Sequence, residues 1–173
     1  MVMTIAAILL AISIPSYRYV TNANRIAAEI NGLLGDMQYA RAEAIKEGQT
    51  VTVCVSTDSA SCSAGNLNWQ NGWIVFADAN GNQTFNAATD TLLRVQAGFT
   101  GTDTFVANNA LSAVTFNREG FATGGPTPVA AGTLIALHAV PASNASTRCL
   151  SVTQVGLLTV QTYNQSNNGV TCL

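Results

Sequence analysis

Four cysteines, one histidine, seven basic and nine acidic side chains are the residues of this 173-residue chain with chemistry to offer. Cys54, Cys62, Cys149 and Cys172 form no C-x-x-C pair, which removes zinc-knuckle and thioredoxin-like readings. An even count fits two disulfides, and four cysteines allow three connectivities. Cys54–Cys62 and Cys149–Cys172 are the expected pairs, because each closes a loop within one region of the chain. Each bond would add ~2–4 kcal/mol, chiefly by restricting the unfolded chain. Disulfides in turn imply an oxidising compartment.

Catalysis has little to work with. His138 lies inside the apolar run "TLIALHAV", where a strand histidine reads as structural rather than as a general base. No G-x-S-x-G elbow, P-loop or H-E-x-x-H motif occurs. The acidic residues are scattered, with no pair set up as acid and base. No catalytic residue and no cofactor is expected. "DANGN" at 78–82 invites a calcium reading, but an EF-hand loop wants glycine sixth and glutamate twelfth. Here glycine is fourth and Thr89 is twelfth, so a hairpin with Asn80-Gly81 as a type I′ signal is expected instead, and no metal. A nucleic-acid surface would have to use the three cations beyond residue 47, Arg94, Arg118 and Arg148, which stand singly. Net charge is −2, so no global basic field supports them.

The elements that position these residues follow from hydrophobic patterning. Charged residues make up only 9% and hydrophobic ones 48%, which suits one domain with a real core and a neutral, secreted surface that meets other proteins. Met1 to Ile14 pass without a charge before Pro15. The segment has no basic n-region for a signal peptide, and it falls short of the ~20 apolar residues of a membrane span. From Val20 the apolar positions run Val20, Ala23, Ala27, Ile30, Leu34 and Met37, one face of a helix. The helix should stop near Glu47, with Gly48 as its C-cap, and residues 1–47 would span ~70 Å. Pro15 should bend it.

Beyond Gly48 the period changes to two. Val51, Val53 and Val55 alternate with Thr52 and Cys54, and "GWIVFAD" is apolar on both faces, as in a central strand. Further strands are expected at 91–97, 112–117, 133–140, 148–154 and 157–163, with loops at 56–71, 80–90, 98–110 and 123–132. A long helix followed only by strands implies an α+β fold, the helix covering an antiparallel sheet.

"MVMTIAAILLAISIPSY" resembles the apolar helix and proline of type IV pilins and type II secretion pseudopilins. Their leader, methylated first residue and nearby glutamate have no counterpart here, so the chain is expected to begin several residues late. The motifs R-A-E-A-I-K at 41–46, G-W-I-V-F-A-D at 72–78 and F-N-R-E-G at 116–120, in that order, are similar to those of GspH/FimT minor pilins and pseudopilins.

The resemblance implies a pilin-like fold. Residues 1–47 would be membrane anchor and filament-core helix, with Ile5, Ile8, Leu9, Ile12 and Pro15 in the anchor. Residues 48–173 would form a globular β domain. It also implies a structural protein rather than an enzyme, held in the inner membrane with a periplasmic domain before entering a pilus or pseudopilus. Its partners would be other major and minor pilins or pseudopilins, and its role to join or prime the filament. The alternative is a pilus-borne DNA receptor. FimT-like pilins of that kind carry G-R-x-R on a hairpin, and the similar stretch here, "VTQVGLLTVQT", keeps Gly156 but has Leu157 and Thr159 in place of both arginines. Any DNA contact would fall back on Arg94, Arg118 and Arg148.

Overall fold

The helix α1 runs from Val2 to Glu47 and ends at Gly48, whose φ of +66° is the left-handed cap that glycine adopts without strain. A computed structural model of the chain describes residues 2–167 and 169–173, and their side chains except at 2–16, 18, 19 and 167. Ile5, Ile8, Leu9, Ile12 and Pro15, with the bend expected at the proline, lie outside those described side chains. Among the described residues, no helix is long and apolar enough to cross a membrane.

The buried face of α1 is Ile26, Ile30, Leu33, Met37, Ala40 and Ala44, spaced 4-3-4-3-4. The expected stripe was set one column to the side and shares only Ile30 and Met37 with it. Val20 is 50% exposed, and Leu34 packs at the margin of the core. Both columns carry apolar residues, so periodicity alone admits either. The larger Ile26 and Leu33 decide it, while the two alanines let strands approach the last turns closely.

Five strands follow before residue 117 or so: β1 (Val51–Val55), β2 (Gly72–Ala77), β3 (Thr91–Ala97), β4 (Thr104–Ala107) and β5 (Ala113–Phe116). Then come β6 (Ala122–Thr123), β7 (Thr133–His138), β8 (Arg148–Val152), β9 (Leu158–Thr162), β10 (Ser166–Asn167) and β11 (Val170–Thr171). They form one antiparallel sheet of order β3-β2-β1-β5-β6, a second of order β4-β7-β8-β9, and the small β10-β11 hairpin. α1 packs on β1, β2 and β5 of the first sheet and on β7, β8 and β9 of the second. Its apolar stripe therefore closes the angle between two sheets rather than covering one. The four-residue β4 lies in a stretch expected to be loop; Phe105 and Ala107 face the core, but "TFVA" is too short a run to announce itself.

β1 is buried on both faces. Val51, Val53 and Val55 join the core under α1, while Cys54 lies on the far side with Ile74, Phe76 and Ala113. Phe85 caps that second face, its ring edge-on to Phe76 at 5.3 Å. The alternation read from "TVTVCV" thus separates two apolar layers, not core from solvent. Disulfides join Cys54 to Cys62 and Cys149 to Cys172. Inside the first loop, the Ser61 hydroxyl and the Ala60 and Ser61 N–H groups all donate to Asp58, holding its carboxyl well below the usual range.

The hairpin expected at Asn80-Gly81 is not formed. Residues 78–90 separate β2 from β3, and Gly81 has a positive φ but Asn80 does not, as a type I′ turn would require. The competing element is Asp78, fully buried, which accepts hydrogen bonds from Thr52 Oγ1 (2.8 Å), Gln83 N (2.9 Å) and Asn82 N (3.2 Å). A buried carboxylate needs donors, and this one draws the loop around itself.

Candidate functional site

Arg41 opens the R-A-E-A-I-K motif and lies in the second-last turn of α1. Its Nε donates to Gly120 O at 3.0 Å and its Nη2 to Val155 O at 3.4 Å. One guanidinium therefore ties the helix to the β5–β6 turn and to the β8–β9 hairpin. The two turns abut directly. A Cβ at Gly156 (φ +73°) would stand 2.0 Å from Gly120 O, so only glycine lets these backbones meet. Beside this tie lies a groove of about 350 Å³, lined by Gln38, Arg41, Ile45, Gly156, Leu157 and Leu158. Ile45, Phe121, Val155 and Leu157 around it are each 45–56% exposed. No carboxylate pairs with Arg41 among the described residues.

Two further polar links fasten α1 to the sheets. Arg25 donates to both oxygens of buried Asp103, at 2.7 and 2.8 Å, and Val140 N donates to the same carboxylate at 2.9 Å. Glu29, one turn along, is left over: its Oε1 is 4.0 Å from Arg25 Nε, and its Oε2 is buried with no hydrogen-bond partner. Burial pushes the Glu29 carboxyl up, and the Asp103 charge adds to this while Arg25 opposes it. Asp36 makes the other link, accepting from Trp73 Nε1 and from Arg94 Nη1, both at 2.9 Å. The Arg94 guanidinium also lies 3.7 Å over the Tyr39 ring.

The three arginines expected as DNA contacts thus stand on different elements with different partners. Arg94, on β3, is held by Asp36 and Tyr39 of the helix. Arg118 pairs with its neighbour Glu119 at 2.8 Å in the β5–β6 turn. Arg148 opens β8 and donates to the carbonyls of Ala145 and Thr147. Leu157 is exposed at the β8–β9 hairpin, Thr159 is half-buried on β9, and His138 is half-buried on β7 opposite Thr104. Among the described residues, no cluster of His, Cys, Asp or Glu could hold a metal ion. Sequence reading missed the links through Arg25, Asp36 and Arg41. The partners of Arg25 and Asp36 lie as far as 78 and 58 residues away, beyond the reach of any local pattern.

A long helix seated by its latter half in the angle between antiparallel sheets defines a pilin-like protein. The family model described as "Type II transport protein GspH" matches residues 29–156, and the chain belongs to that family. It is a minor pilin or pseudopilin of the GspH/FimT type. The matched span contains all three motifs at 41–46, 72–78 and 116–120. In structure, the chain is similar to the type IV minor pilin FimU of Pseudomonas aeruginosa PAO1. One crystal form of FimU aligns with a TM-score of 0.53 at 23% identity, covering 82% of this chain and 90% of FimU. A second gives 0.54 at 22%, covering 82% and 86%. Likeness at that identity establishes the shared fold. A comparison with curated proteins finds no significant match.

Proposed function

We propose that this protein joins or primes the filament of a type IV pilus or a type II secretion pseudopilus. Residues 1–47 act as membrane anchor and then as filament-core helix, and residues 48–173 as the globular part that meets neighbouring major and minor pilins or pseudopilins. It waits in the inner membrane with its globular part in the periplasm until assembly. The supporting observation is the uneven burial of α1. Among the described side chains its stripe is buried from Ile26 onward, while Tyr17 is 72% and Val20 50% exposed, which suits contacts with other helices there. Two disulfides suit the oxidising periplasm.

The test is a chain that starts at Asn24, produced in cells that assemble the filament. It should fold, remain monomeric and stay out of filaments; its incorporation would overturn the reading. A DNA-receptor role has less support, because Leu157 and Thr159 stand where paired cations would be needed and Arg94 is committed to Asp36. Mobility shifts with duplex DNA across a salt series should show only weak binding near ~150 mM salt. Tight binding that is lost on replacing Arg94, Arg118 or Arg148 would restore the receptor.

A further inference from the structure

We propose that the groove between the last turns of α1 and the β8–β9 hairpin is the seat for a neighbouring filament subunit, and that it takes an aliphatic segment carrying a carboxylate. This rests on the filament reading above. Ile45, Leu157 and Leu158 line the groove beside Arg41, and Phe121 and Val155 are exposed in the two turns that Arg41 ties. Ile45 Cδ1 comes within 3.0 Å of where a Cβ at Gly120 would stand, and Phe121 follows that glycine. Val155 and Leu157 flank Gly156, whose backbone abuts Gly120. Ile45, Phe121, Val155 and Leu157 are each about half exposed, whereas most other large apolar residues among the described side chains lie in the core. Apolar side chains grouped in this way mark a surface that meets another protein.

Charge decides what kind of segment fits. Arg25, Lys46, Arg94 and Arg118 each have a carboxylate within salt-bridge distance. Among the described residues Arg41, like Arg148, has no carboxylate; its partners are the carbonyls of Gly120 and Val155, and its charge stands in the wall of an apolar groove. A partner carboxylate would supply the missing charge and hold the register, while aliphatic groups beside it cover Ile45 and Leu157. A phosphate backbone fits poorly, since it would find one cation among hydrocarbon side chains. The groove is also rigid, because the abutting glycine backbones fix both of its turns before a partner arrives. Arg41 lies 24 residues along α1 from exposed Tyr17, a rise of ~36 Å. Contacts at these two levels reach different neighbours, as a head-to-tail assembly requires.

The experiment uses the full chain in cells that assemble the filament, with a photo-crosslinking residue at position 157 and, as control, at exposed Leu92 on β3. Position 157 should crosslink to a filament subunit identified by mass, and position 92 should give at least tenfold less of that product. Leu157→Glu should then reduce incorporation into filaments about tenfold or more, whereas Leu157→Arg, which loses the apolar contact but does not oppose a partner carboxylate, should reduce it several-fold less. Both side chains point into solvent, so both variants should melt within a few degrees of the parent. Equal loss in the two variants overturns the carboxylate, and equal tolerance overturns the groove. Crosslinking of wild-type position 157 to nucleic acid instead of protein also overturns the proposal. Absence of the wild-type chain from filaments is a separate result, which removes the filament reading itself.

Discussion

Glu29 is a largely buried carboxylate that its neighbours leave partly unpaired. Arg25 directs its Nε and Nη2 at Asp103, and the buried Oε2 of Glu29 has no hydrogen-bond partner. Its pKa is raised in the folded chain, first by burial and then by Asp103. The folded state therefore binds this proton more tightly than the unfolded state. That contribution to stability is complete below the unfolded value of 4.5 and is lost as pH rises through the folded pKa. Wherever this carboxylate is ionised in the folded chain it is a cost. Glu29→Gln should raise the melting temperature at pH 7 by about 2–4 °C, with the gain vanishing below about pH 4. Thermal melts of both proteins between these limits give the answer, and a pH-independent difference would mean that shape, not charge, is at stake. Asp103→Asn should act in the opposite direction, because it leaves Arg25 without its carboxylate; a loss of ~1–3 kcal/mol is expected by denaturant titration. Gly156→Ala faces a different obstacle. A methyl group 2.0 Å from Gly120 O cannot be accommodated unless the two turns part, so the loss should exceed the ~1–2 kcal/mol of the left-handed backbone alone.

At the scale of elements, α1 contributes two unlike halves. Residues from Ile26 to Ala44 hold the two sheets together, and truncation there opens a cavity between layers that cannot both collapse. Ile30→Ala or Met37→Ala should cost ~2–5 kcal/mol, while Val20→Ala should stay within ~0.5 kcal/mol in the unassembled protein. Chemical denaturation separates these outcomes, and a large effect at Val20 would mean that the exposed half of the helix packs on its own chain. The disulfides act on the unfolded state. Cys149–Cys172 spans 23 residues against 8 for Cys54–Cys62, so removing it should cost more, about 3.5 against about 2.5 kcal/mol on the chain-entropy account. Much of this scale could be read in advance. The helix end at Gly48 and the strand at 91–97 follow from local signals, a glycine cap and a period-two run. β4 and β6 do not, because strands of four and two residues carry too few side chains to form a pattern. The Asn80-Gly81 turn failed for a related reason: its local preference was real, but buried Asp78, anchored by Thr52 26 residues away, also draws Asn82 N and Gln83 N to itself.

For the whole molecule, the outcome is a helix long enough to act outside its own domain, fixed to that domain by one apolar stripe and three polar links. Sequence by itself determined the class of fold, because a charge-free run, a 3.6-residue period and then a two-residue period allow little else. It also determined the family, through three motifs in a fixed order. Only the tertiary structure decided which stripe of α1 is buried, that the strands divide into two sheets, and that Arg25, Asp36 and Arg41 reach inward. The reason is physical. Periodicity records which side chains share a face, but not which distant backbone will come to meet that face. Arg41 illustrates the limit: its role depends on two carbonyls 79 and 114 residues away, brought together because two glycines allow their turns to touch.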